Sequence, residues 1–141
     1  MTKPKLLIRI AAGCMLFFAI GHSLGHFTRY DVTDQKEKAV LQMMIDNKFN
    51  LFGQTTSYDR MYTGISLDMV FTLIAFTIIL WHISTVSKDN KKLAIKLLLP
   101  VTLCIFGFSI TSFLFFFPVP AITCLVAGLL STFALIKLNT R

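Results

Sequence analysis

No C-x-x-C pair and no H-E-x-x-H segment occurs in this 141-residue chain. The first absence speaks against a dithiol redox site: Cys14, Cys104 and Cys124 stand apart inside apolar runs, where a thiol behaves as a small buried hydrophobe. The second removes the two-histidine zinc signature of helical metalloproteases. No nucleophile motif or cofactor-binding motif accompanies the ionisable residues, so no cofactor is expected. A cleavable export signal is missing as well. Lys3, Lys5, Arg9 and the segment "AAGC" at 11–14 imitate one, but Arg9 interrupts the apolar stretch, the small-residue cleavage pattern is absent, and the run continues well past Cys14. The first apolar run is therefore read as an anchor that stays. Charge is also nearly absent from the middle of the apolar runs. Between Asp68 and the inner side its span offers only Thr72 and Thr77, too little for a proton pathway, which speaks against a proton-coupled transporter.

What the chain has is oil: 55% of its residues are hydrophobic, 14 of them Phe, and the mean hydropathy is +0.69, more apolar surface than one soluble core of this size hides. Runs of about 20 apolar residues, the length that crosses ~30 Å of hydrocarbon, occur four times. They are Leu6–Phe27, Met61–Ile83, Leu93–Phe117 and Val119–Leu138. Lys3, Lys5, Arg9, Lys88, Lys91, Lys92, Lys96, Lys137 and Arg141 all fall on one side of such an even-numbered arrangement. On the other side Arg29, Lys36, Lys38, Lys48 and Arg60 are balanced by Asp31, Asp34, Glu37, Asp46 and Asp59. Both termini are thus expected in the cytoplasm, and the net charge of +7 reads as a positive-inside signal with some attraction to anionic lipid. It leaves no basic face for nucleic acid.

The connection 28–60 is the one long loop. Asp34 followed by Glu37 has the form of a helix start, and Val40, Leu41, Met44 and Ile45 fall on one helical face. An amphipathic helix is expected from about Gln35 to Asn47, on the outer membrane surface or over the mouth of the bundle. Phe49, Phe52, Tyr58 and Tyr62 then bring the chain back to the membrane, with a turn at Gly53. Pro118 and Pro120 join the last two spans almost without a loop, and Pro100 is expected to kink the third. The fold class is all-α: a four-transmembrane-helix bundle in one domain, 1–141, with an amphipathic helix in the first outer loop.

Three stretches, "GHSLGHF" at 21–27, "SYDRMYTGISLDMVFTLIAFTIILWH" at 57–82 and "FFFPVPAI" at 115–122, together resemble an uncharacterised family of small bacterial four-helix membrane proteins. In that family a Gly-His pair, a Ser-Tyr/Trp-Asp-x-x-Tyr-x-Gly entry into the second helix and a Phe-Pro-x-Pro hairpin recur in this order. The resemblance covers most of the chain and implies the architecture and a bacterial cytoplasmic membrane, with no activity attached. Arg60 and Met61 depart from it, standing where more aromatic character is expected. The long first outer loop and "LDMVF" in the second span also resemble the sterol isomerase and sigma-2 receptor type, which implies acidic and histidine side chains facing a lipid-shaped cavity.

Few ionisable residues lie within the apolar runs away from their edges: His22, His26 and Asp68. Near the centre of a helix such an acid costs ~2.5–3.5 kcal/mol even on the lenient insertion scale. At 1.5 Å per residue His22 lies roughly 7.5 Å below the outer edge and Asp68 roughly 10 Å, so the two can meet. Gly64, Asp68, Phe71, Thr72 and Ala75 share one helix face, and Gly21 and Gly25 permit a close neighbour on the first span. His82, with Trp81, marks the opposite interface.

Four readings compete. His22 and Asp68 form a polar clasp between the first two spans. Alternatively, His22, His26, Asp68, Tyr62 and Thr72 line an outer-leaflet pocket for a lipid or an amphipathic amine. Two histidines four apart plus a carboxylate are also a valid metal set, though no motif supports it, and haem is disfavoured because both histidines lie on one face. Last, Asp68 and a histidine would serve a membrane enzyme as acid and base on a lipid or sterol-like substrate. The expected function is a non-enzymatic membrane protein that binds a membrane lipid, a membrane-protein partner or a second copy of itself, with the enzyme as the alternative.

The topology is checked by thiol labelling. In a chain lacking Cys14, Cys104 and Cys124, Gln42→Cys should react with a membrane-impermeant reagent on intact cells and Asn90→Cys should not. The reverse pattern contradicts it.

Overall fold

A computed structural model describes residues 3–140 of the chain. Helix accounts for 82% of it, which places it in the all-α class. The elements in order are α1 (Pro4–Thr28), α2 (Gln35–Asp46), β1 (Lys48–Leu51), β2 (Gln54–Ser57), α3 (Tyr58–Val86), α4 (Lys91–Phe115) and α5 (Pro118–Asn139). The helices α1, α3, α4 and α5 are each long and apolar enough to cross a membrane, so the chain is an integral membrane protein. All but α4 overrun both expected ends, and α3, at 29 residues and roughly 43 Å, is longer than the ~30 Å of hydrocarbon it crosses.

The described residues pack as two compact units, one formed by 3–19 together with 73–140, the other by Ile20–Thr72. The first unit holds the apolar core: Ile8 and Met15 of α1, Leu73, Leu80 and Ile83 of α3, Leu98 and Ile105 of α4, and Cys124 of α5 are fully buried. Asn90 caps α4 by accepting from Leu93 N at 3.0 Å, and Pro118 opens α5, where its missing N–H costs nothing. Pro100 lies inside α4, and the helix continues through it.

Small residues set how closely α4 and α5 pack. Ser109 Oγ donates to the Ala121 carbonyl at 2.9 Å, so a buried hydroxyl is satisfied across the hairpin. At Gly128 a Cβ would stand 2.8 Å from the Phe106 ring. Arg9, part-way down α1, donates from Nε to Ser84 Oγ at 3.4 Å and lies 4.4 Å from the centroid of the Trp81 ring. A charge inside a span is made tolerable here by a hydroxyl and an aromatic face.

In the second unit Asp34 caps α2 as expected, accepting from Lys36 N and Glu37 N at 2.9 and 3.1 Å. No α2 residue is fully buried: Leu41, Met44 and Ile45 are half-covered, and Val40, expected on the same stripe, is exposed. The segment after α2 is a β-hairpin, which the sequence reading did not anticipate beyond its turn. Lys48 pairs with Ser57 and Leu51 with Gln54, and Phe52 and Gly53 close the loop with φ of 49° and 84°. Two left-handed residues are what a two-residue hairpin turn needs, and Gly53 supplies one without strain. Phe52 at the tip is fully exposed.

Gly128→Leu should lower the melting temperature in detergent, reflecting about 1–3 kcal/mol of overpacking against Phe106. Gly107→Leu, at a position with no neighbour within 4 Å of the new Cβ, should not. Equal melting of the two variants would remove the close α4–α5 approach.

Candidate functional site

The polar residues of the second unit gather where the last turns of α1 meet the first turns of α3. Ser66, buried at 5% exposure, is the centre of the inner group. His22 Nε2 lies 3.2 Å from the Ser66 carbonyl and 3.0 Å from its hydroxyl, and His26 Nδ1 lies 2.9 Å from the same hydroxyl. A carbonyl only accepts, so the contact with the Ser66 carbonyl calls for the Nε2–H form of His22, and with it the Ser66 hydroxyl is placed to donate to His26 Nδ1. One serine thus serves both histidines.

Two turns further out is a second group. Arg29 pairs with Asp59 at 2.7 Å, with side chains 11% and 13% exposed, and Arg29 Nη2 also donates to Thr63 Oγ1 at 2.7 Å and to the Tyr30 hydroxyl. Tyr30 donates in turn to Asp59 at 3.1 Å. The rings of Tyr30 and Tyr62 lie 4.5 and 5.1 Å from the guanidinium carbon. Nε and Nη1 of Arg29 are buried without a hydrogen-bond partner among the described residues, and the two aromatic faces supply attraction in their place. The two groups share one antiparallel register: position 22 meets 66 and position 29 meets 59, seven residues on from α1 into the turn that follows it and seven back in α3.

This arrangement corrects the expected clasp, since the α3 partner of His22 is Ser66 and not Asp68. Successive residues turn about 100° around a helix, so Asp68, two positions beyond Ser66, points roughly 160° away from it. Depth matched and direction did not. Asp68 is exposed, and its carboxylate takes no hydrogen bond or ion pair among the described residues. Of the other expected pocket residues, Thr72 is half-buried and donates to the Asp68 backbone carbonyl at 2.7 Å, while Tyr62 is 49% exposed and covers Arg29. His22 and His26 are held together; Asp68 and Thr72 stand apart from them. A metal set of both histidines and Asp68 is not assembled, and no group of three His, Cys, Asp or Glu side chains converges among the described residues.

Grooves are found at other places. One of about 450 Å³ runs along Ile10, Gly13, Cys14, Phe17, Ile122, Thr123 and Val126, and one of about 560 Å³ beside α2 is lined by Ala39, Gln42, Met43, Asp46 and Asn47. Sequence reasoning missed Arg29, Asp59, Thr63 and Ser66. The seven-residue spacing of 22 to 29 and of 59 to 66 was the signal that could have paired them. Comparison with protein-family models, curated proteins and solved structures finds no match to this chain.

Removing Asp59 leaves a buried guanidinium unpaired, so Asp59→Ala should cost about 3–5 kcal/mol of stability in detergent. Asp68→Ala should change it by less than ~0.5 kcal/mol. His22→Ala and Ser66→Ala should couple by roughly 0.6 kcal/mol in a double-mutant cycle. An Asp68→Ala loss matching that of His22→Ala would restore the clasp expected from sequence.

Proposed function

We propose that this chain is a non-enzymatic, four-pass protein of a bacterial cytoplasmic membrane, both termini inside, that engages a membrane partner through the outward face of α3 centred on Asp68. The partner is another helix or a lipid-like molecule. The observation that carries this reading is the exposed Asp68 carboxylate, unmet among the described residues and placed well inside a 29-residue apolar helix. Its local cost of ~2.5–3.5 kcal/mol in hydrocarbon is relieved where the group meets protein, water or a polar ligand. Gly64, Ile65 and Phe71 are exposed beside it. They make an apolar surface with one acidic point, which suits a helix carrying a matching hydrogen-bond group, or a lipid with an amine or hydroxyl at that depth. The orientation is supported by the nine basic residues on one side. The motif resemblance supports the four-pass layout.

The alternative, a membrane enzyme on a lipid or sterol-like substrate, asks Asp68 and His22 or His26 to serve one substrate as acid and base. They face opposite sides of α3, and the histidines are committed to Ser66. Geometry therefore favours binding.

Native mass spectrometry of the purified protein should find a bound lipid or a second chain that Asp68→Leu no longer retains. Retention unaffected by Asp68→Leu overturns the role of this face. A lipid converted chemically during incubation, with conversion lost in Asp68→Asn, overturns the non-enzymatic reading.

A further inference from the structure

We propose that the end of the bundle where the chain begins holds a binding site for the phosphate of an anionic lipid headgroup, formed by Lys5, Arg9 and Lys88. The site uses residues of the first unit alone and does not depend on the Asp68 face.

Spacing along two helices brings the three cations together. Lys5 and Arg9 are four apart in α1, one above the other on one face. Arg9 meets Trp81 and Ser84 of α3, and Lys88 lies four residues past Ser84, in the turn that follows the helix. The Ser87 and Lys88 amides still bond back to the Ile83 and Thr85 carbonyls, so the helical path continues and keeps Lys88 on the side of Trp81 and Ser84. With α1 and α3 running in opposite directions, the register that sets 9 beside 84 sets 5 beside 88. Lys5 accordingly has the Lys88 ammonium within hydrogen-bonding range, and Arg9 and Asp89 are its other charged neighbours.

Such a grouping is costly by itself. Two ammonium groups at that range repel, and three cations against one carboxylate leave two positive charges unbalanced. Among the described residues the only ion pair is Arg29 with Asp59, so none of the three cations is in one. Arg9 still has donors to give. Its guanidinium lies over the Trp81 ring with Nε alone bonded, to Ser84, and its other nitrogens are not among the atoms buried without a partner. A phosphate placed among the three groups meets them all, because its several oxygens accept from both ammonium groups and from the flat edge of the guanidinium.

Depth identifies the source of that phosphate as a lipid. Tryptophan favours the level of the headgroups, and Leu6 and Ile10, the neighbours of Lys5 and Arg9 in α1, are exposed. An acyl chain attached to the phosphate therefore continues onto apolar surface, which a free phosphate cannot use. Basic pockets between spanning helices take anionic headgroups for this combination of reasons.

Trp81 is the chain's one tryptophan and lies 4.4 Å from Arg9, so its fluorescence reads the site directly. The full-length protein is placed in phosphatidylcholine vesicles containing a minor fraction of phosphatidylglycerol brominated on its acyl chains. Brominated phosphatidylcholine at the same fraction is the reference. Phosphatidylglycerol should quench Trp81 more strongly, and its apparent affinity should fall roughly fivefold in each of Lys5→Gln and Lys88→Gln. Lys5→Arg and Lys88→Arg should retain it. Lys91→Gln and Lys92→Gln remove the same charge at the start of α4 and should change it by less than about twofold. An unchanged emission maximum in pure phosphatidylcholine shows that a variant keeps Arg9 over Trp81. Equal losses in the Lys5, Lys88, Lys91 and Lys92 variants would reveal a diffuse basic surface and overturn the site, as would equal quenching by the two lipids. Relief of quenching by millimolar inorganic phosphate, but not by chloride at matched ionic strength, would give the site to free phosphate and overturn the lipid.

Discussion

Hydrocarbon supplies no hydrogen-bond partners, and the outer half of α3 meets that constraint on one side only. The side facing α1 is closed: Ser66 serves His22 and His26, and Asp59 and Thr63 serve Arg29. Each such pair in a membrane is worth little, about 0.6 kcal/mol on average, because the unassembled helices also find partners. What the seam does strongly is choose a register. Sliding α3 by one turn would strand a histidine, a guanidinium and a carboxylate together. Position 22 is therefore held opposite 66 and 29 opposite 59 by the cost of every other alignment.

The Arg29 group shows why that position suits arginine rather than lysine. One nitrogen, Nη2, reaches a carboxylate, a threonine and a tyrosine, while the flat faces of the guanidinium lie near two aromatic rings. An ammonium presents no plane to stack and holds its water more tightly, so its burial here would cost more. Asp59 gains twice. It lies in the first turn of α3, where the unpaired backbone N–H groups favour a negative charge, and it neutralises Arg29. A pair nearly nine-tenths buried is stable in that setting because both partners are hydrogen-bonded beyond each other.

Much of this was legible in the sequence. Apolar run length located all four spans, Asp34 announced α2, Gly53 announced a turn, and the Pro118 hairpin followed from proline's missing donor. The β-hairpin was hidden because its strands are four residues each and mix polar with apolar side chains, too short for a period to register. The clasp failed for a different reason. Depth along two helices is a single coordinate that residue counting gives well, but contact also needs the angle around each axis, and two residues change that angle by about 200°. Arg29 and Asp59 were assigned to a loop and weighed as charges balancing one another. In the structure α3 begins at Tyr58 and takes Asp59 into its first turn, and Arg29, in the turn directly after α1, reaches it as a buried pair.

Insertion itself does not demand that Asp68 be paired. On the insertion scale each Leu, Ile, Phe or Val at a helix centre contributes about −0.3 to −0.6 kcal/mol. The ten such side chains between Ile65 and Leu80 together contribute on the order of −3 to −6 kcal/mol. That offsets the ~2.5–3.5 kcal/mol cost of one aspartate, so α3 enters the bilayer with the acid aboard. Nor does the α1–α3 seam use it, since Ser66 already fills the inner position. Asparagine or threonine at position 68 would lower the cost, and leucine would remove it. A carboxyl on the outward arc of a spanning helix is required neither by insertion nor by the α1–α3 seam, and this is why the proposed interaction face is centred on Asp68.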